Sequence, residues 1–116
     1  MDVRQEEARR GRDHLIRTSP RSDVEQLIAA LADGHVGRRE AAIARLRIAG
    51  VRAIARLEVL IRSDGPAAAR EAALRVLEGC EDQRAADLAL GALGDADDHV
   101  TIVAVAVLRT WLTREA

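Results

Sequence analysis

Apolar residues recur at helical spacing along most of the chain. In Asp23–Ala32, Val24, Leu27, Ile28 and Leu31 take the i, i+3, i+4 and i+7 positions of one face, which predicts an amphipathic helix ending at Asp33-Gly34. A second helix is expected over Val36–Ala49, with Ala42, Ile43, Leu46 and Ala49 inward and Gly50 as its stop. Val51–Arg62 follows with Ile54, Leu57, Leu60 and Ile61 on one face. Ser63-Asp64-Gly65-Pro66 turns the chain, and Pro66 suits the first turn of a helix over Ala67–Glu78, whose inward set is Ala73, Leu74, Leu77 and Cys80. The pattern then predicts Gln83–Leu93, burying Ala86, Ala89, Leu90 and Leu93, and, after a turn at Gly94–Asp98, Val100–Leu112. Ahead of all these, Asp2–Arg17 carries a thin stripe of Val3, Ala8, Leu15 and Ile16 and reads as an N-terminal helix weakened by Gly11. Thr18-Ser19-Pro20-Arg21-Ser22 breaks it.

The helices are written to a period. RREAAIARL at Arg38–Leu46 returns as AREAALRVL at Ala69–Leu77 and as VTIVAVAVL at Val100–Leu108. Arg39, Arg70 and Thr101 stand 31 residues apart, as do Ala42/Ala73/Ala104, Leu46/Leu77/Leu108 and Asp33/Asp64/Asp95. A fixed period of this size marks a repeat architecture, in which each helical hairpin is too small to bury its apolar face alone and must stack on its neighbours. The chain therefore divides into residues 1–21, a helix and linker, and residues 22–116, a repeat domain with units at about 22–50, 51–81 and 82–113. An apolar fraction of 48 %, nearly all Ala, Leu, Val and Ile with Trp111 the only aromatic residue, fits close helix-on-helix packing and an all-α fold.

An Asp in the turn within the hairpin, an Arg six residues later, then Ala-Ala and Leu, together resemble the HEAT repeat, and the period of 31 with Gly50 and Gly79 resembles its short bacterial, phycobilisome-lyase-like form. The resemblance covers Ser22–Trp111. It implies a right-handed α-solenoid of three HEAT-like hairpins, with a structural ladder of Asp33, Arg39, Asp64, Arg70 and Asp95 linking neighbouring repeats. In the third copy Thr101 replaces the Arg, so the last rung is missing. The resemblance also implies that the second helix of each hairpin lines a concave surface where partners lie.

Charge separates the halves. Met1–Arg62 holds 13 Arg against 9 acids and Ser63–Ala116 holds 5 against 10, so the molecule should have a basic and an acidic end. Nucleic-acid binding through Arg4, Arg9, Arg10, Arg12, Arg17, Arg38, Arg45, Arg47, Arg52 and Arg56 is the rival reading. The acidic second half and the want of stacking aromatics count against it. A lyase activity is suggested by the repeat subtype alone, and no chemistry-bearing residue accompanies it. His14, His35 and His99 are scattered, Asp95-Ala96-Asp97-Asp98-His99 lacks the glycine and final glutamate of a calcium loop, and Cys80 occupies a small-residue repeat position. No enzyme, metal or cofactor is expected. A lone cysteine and no apolar stretch near the ~20 residues of a membrane span point to a cytoplasmic protein.

Two columns of the second helices bear on partners. Glu40, Ala44, Arg47, then Glu71, Arg75, Glu78, then Ile102, Ala106, Arg109 form a mixed-charge groove; Ala41, Arg45, Ile48, then Ala72, Val76, Gly79, then Val103, Val107, Thr110 grow apolar toward the C-terminus. A terminal repeat needs a polar outer face, whereas the last helix is apolar nearly all round. The reading is a protein-interaction scaffold whose binding residues are Ile102, Val103, Val107, Trp111, Arg75 and Arg109, with a protein partner, a homodimer mate or further repeats of a longer chain covering the last helix.

Overall fold

A computed structural model describes residues 20–115, whose regular elements are all helices with no strand among them. The helices are α1 (Pro20–Ala30), α2 (Val36–Ala49), α3 (Ile54–Ile61), α4 (Ala67–Leu77), α5 (Gln83–Ala92) and α6 (Asp98–Glu115), with a 3-10 turn at Gly50–Ala53 leading into α3. The N-terminal helix expected over Asp2–Arg17 lies outside the described residues. Helix α1 begins at Pro20, three residues before the expected start at Asp23, because proline's fixed φ and missing N–H cost nothing in a first turn. Helix α6 is longer than expected at both ends: Asp97 Oδ1 accepts the amides of His99 (2.9 Å) and Val100 (3.2 Å), and the tail continues the helix to Glu115.

Packing follows the period. α1 packs on α2, α4 on α3 and α6 on α5, giving three hairpins. Each helix also touches its counterpart in the next hairpin: α2 meets α4, α4 meets α6, α1 meets α3 and α3 meets α5. Ala42, Ala73 and Ala104 are all buried, small side chains that let packed helices lie close together. Around them Ile43, Leu46, Ile54, Leu57, Leu74, Leu77 and Val100 complete one continuous core. The helix stops use glycine where φ turns positive, at Gly50 (φ 61) and Gly79 (φ 80), a region that penalises any Cβ.

One helix face differs from expectation. In α5 and the residue after it, Leu90 and Leu93 are exposed, and Ala85, Leu88 and Ala92 are buried beside Ala86 and Ala89. The period explains it: Ala85, Leu88 and Ala92 stand 31 residues after Ile54, Leu57 and Ile61, the buried face of α3. Register within the stack outweighs the local run of leucines.

Candidate protein-binding surface

The polar residues of the repeat serve turns and seams. Arg70 crosses from the second hairpin to the third and holds Asp95 through both oxygens (2.9 and 3.1 Å), with side chains only 14 % and 12 % exposed. It also donates to the Gly65 carbonyl. This clasp and the Asp97 amide hold the Asp95 carboxyl below its ordinary pKa, and the same partner raises that of Arg70. The corresponding pair one repeat earlier is not formed: among the described residues Arg39 and Asp64 make no ion pair, and Arg39 donates to the Asp33 carbonyl instead (3.3 Å). Asp33 is taken by Arg38 Nε (3.0 Å) and the His35 amide (2.7 Å), with the amide the main cause of its lowered pKa. Thr101 donates to the Asp95 carbonyl (3.4 Å), the same sequence offset as Arg39 to Asp33. The repeated position thus reaches a turn carbonyl in all three hairpins, and Arg70 alone adds the seam.

Arg75, expected in a binding groove, joins the second helices of hairpins one and two. Its guanidinium takes both Glu40 oxygens (2.6 and 2.9 Å), which lowers the Glu40 pKa and raises its own. Arg47 donates twice to the Arg75 carbonyl (3.1 and 2.6 Å), and Arg114 donates to the Gly79 and Cys80 carbonyls (2.7 and 3.0 Å). In each case an arginine of one hairpin donates to backbone carbonyls in the last turn of α4 or just beyond its end. With Arg38 on Asp33 and Arg56 on Glu25 (2.6 Å), much of the described part of the basic half is already engaged within the chain. Arg4, Arg9, Arg10, Arg12 and Arg17 lie outside the described residues. The acidic turn before α6 is likewise used internally, since Asp95 accepts the Asp97 amide and Asp97 caps the helix. No group of three metal-ligating side chains occurs among the described residues, and Cys80 is half-buried.

The apolar residues assigned to the last helix do not share one surface. Val107 is buried, Val103 and Trp111 are half-buried, and Ile102 is 63 % exposed. Val107 is the correction: its column faces backward, toward the preceding hairpin. In that column Ala41, Arg45 and Ile48 are exposed on the first hairpin, whereas Ala72 and Val76 on the second are buried. The column grows apolar because its later members have a neighbour to pack against. The forward-facing column behaves oppositely. Ile43 and Leu74 are 2 % and 0 % exposed, and their equivalent Val105 is 39 % exposed. Around Val105 the outer face of α6 presents Asp98, Ile102, Arg109 and Leu112, all exposed. Val105, Leu112 and Asp98 are absent from the set expected to bind, although the column Ile43/Leu74/Val105 points to the first of them.

No family model matches this chain, and the curated proteins and solved structures hold no match to it.

Proposed function

We propose that this chain is a non-enzymatic protein-interaction scaffold, a right-handed α-solenoid of three HEAT-like hairpins working in the cytoplasm. The 31-residue period and the contact of each helix with its counterpart one hairpin on support the solenoid reading. The observation that carries the function is the exposure of Val105 at a position buried in the two preceding hairpins. An apolar stripe that no described residue covers is a surface for another protein chain. The partner's contacts are Ile102, Val105, Arg109 and Leu112 rather than Val103 or Val107, and Arg75 acts as a strut of the inner face.

The test is affinity capture from the native cell with quantitative mass spectrometry, comparing the unaltered chain with Ile102→Glu/Val105→Glu. The expected result is a set of proteins retained by the first and lost by the second, with both chains equally helical by circular dichroism. Identical sets from the two chains would contradict the reading.

A further inference from the structure

The outer stripe of α6 is Asp98, Ile102, Val105, Arg109 and Leu112, at successive spacings of four, three, four and three residues. That rhythm is the seam of a helix that packs along another helix. Its charges are arranged so that the stripe complements itself. An acid stands at one end, an arginine toward the other, and two β-branched residues lie between. Among the described residues neither Asp98 nor Arg109 has an ion-pair partner within the chain.

We infer that the occupant of this stripe is a second copy of the same chain, with the two α6 helices antiparallel about a two-fold axis. In a two-fold interface residue i meets residue j and j meets i. Placing the axis between Val103 and Ala104 sets Ile102 against the mate's Val105, and Asp98 against the mate's Arg109, each contact made twice. Leu112 then reaches the mate's α5–α6 turn, where Leu93 is exposed. Four β-branched side chains form a dry centre between two charge pairs, an apolar core with a polar rim. Among the described residues the other end of the stack offers no such match. There the backward-facing column has Arg45 where the later hairpins have Val76 and Val107, and Arg52 is exposed as well. A head-to-tail stack would bring Arg109 next to another arginine. Carrying the contact of Arg47 with the Arg75 carbonyl forward by two repeats would set Arg109 beside Ala44 and Arg45 of the next copy.

This inference rests on the scaffold reading and names its partner. Sedimentation velocity over a concentration series tests it. The unaltered chain is expected to pass from monomer to a discrete dimer. Asp98→Arg and Arg109→Asp, each acting twice in the dimer, should each raise the dissociation constant by roughly tenfold or more. The double variant Asp98→Arg/Arg109→Asp exchanges the charges and should restore it to within about threefold, a rescue that damage to the fold would not give. Ile102→Glu/Val105→Glu should abolish the dimer with helicity kept. A wild-type chain that stays monomeric at every concentration overturns the inference, as does an open series of higher oligomers or a dimer indifferent to these variants. Monomers that still capture other proteins through Ile102 and Val105 would sink the second copy and leave the scaffold reading standing.

Discussion

Leu74 and Val105 hold the same place in successive hairpins, yet Leu74 is fully buried and Val105 is 39 % exposed. Both are aliphatic, both lie on the second helix of their hairpin, and both point forward along the stack. The difference is the neighbour: α6 covers Leu74, and no described element covers Val105. The backward-facing column reverses the pattern, with Arg45 on the first hairpin exposed and its equivalents Val76 and Val107 buried. In a repeat protein the role of a residue follows from its column and its rank in the stack, more than from its own hydrophobicity.

The sharpest way to break this comparison is to truncate both members. Leu74→Ala should cost about 2–5 kcal/mol, since it opens a cavity under α6, whereas Val105→Ala should cost less than about 1 kcal/mol in the isolated chain. Urea titration of dilute samples checks both, and equal losses would refute the assignment of the columns. Adding bulk sharpens it from the other side. Ala73→Leu should cost about 1–3 kcal/mol at a fully buried position, and Ala44→Leu, on the exposed side of α2, should be near neutral.

A smaller difference separates the two seams. Arg70→Ala should cost about 2 kcal/mol, because it opens the half-buried clasp with Asp95, whereas Arg39→Ala loses one bond to a carbonyl and should cost about half as much. Acid should act on these seams too. The pKa values of Asp95 and Glu40 are lowered on folding by Arg70 and Arg75, so what they add to stability is full above the ordinary carboxylate range and is lost as pH falls through the lowered folded values. Urea midpoints should therefore drop as pH is taken below about 4, and less steeply in Asp95→Asn/Glu40→Gln. Parallel profiles would show that other carboxylates carry the effect.

Much of this is legible in the sequence. The helix faces at Ala42/Ile43/Leu46 and Ala73/Leu74/Leu77, the glycine stops at positions 50 and 79 and the all-α class follow from spacing alone. Leu90 and Leu93 misled because a local helical pattern fits them well, and the register that exposes them is set 31 residues away. Val107 misled for a related reason: an apolar residue in a column that begins with Ala41 and Arg45 looks like a new surface until the preceding hairpin is seen lying on it. The partners of Arg70 and Arg75 depend on side-chain reach across a seam. The period aligns Arg39 with Arg70 but does not reveal that only the second of them closes on an Asp of the next hairpin.

The most direct measurement is a dilution series followed by methyl NMR, with Ile102 and Val105 as reporters and Ile48 as the control at the opposite end. Self-association through α6 predicts that the Ile102 and Val105 methyls shift with concentration along one binding curve while Ile48 stays fixed. Concentration-independent methyls on α6, or a shift at Ile48 instead, would contradict it.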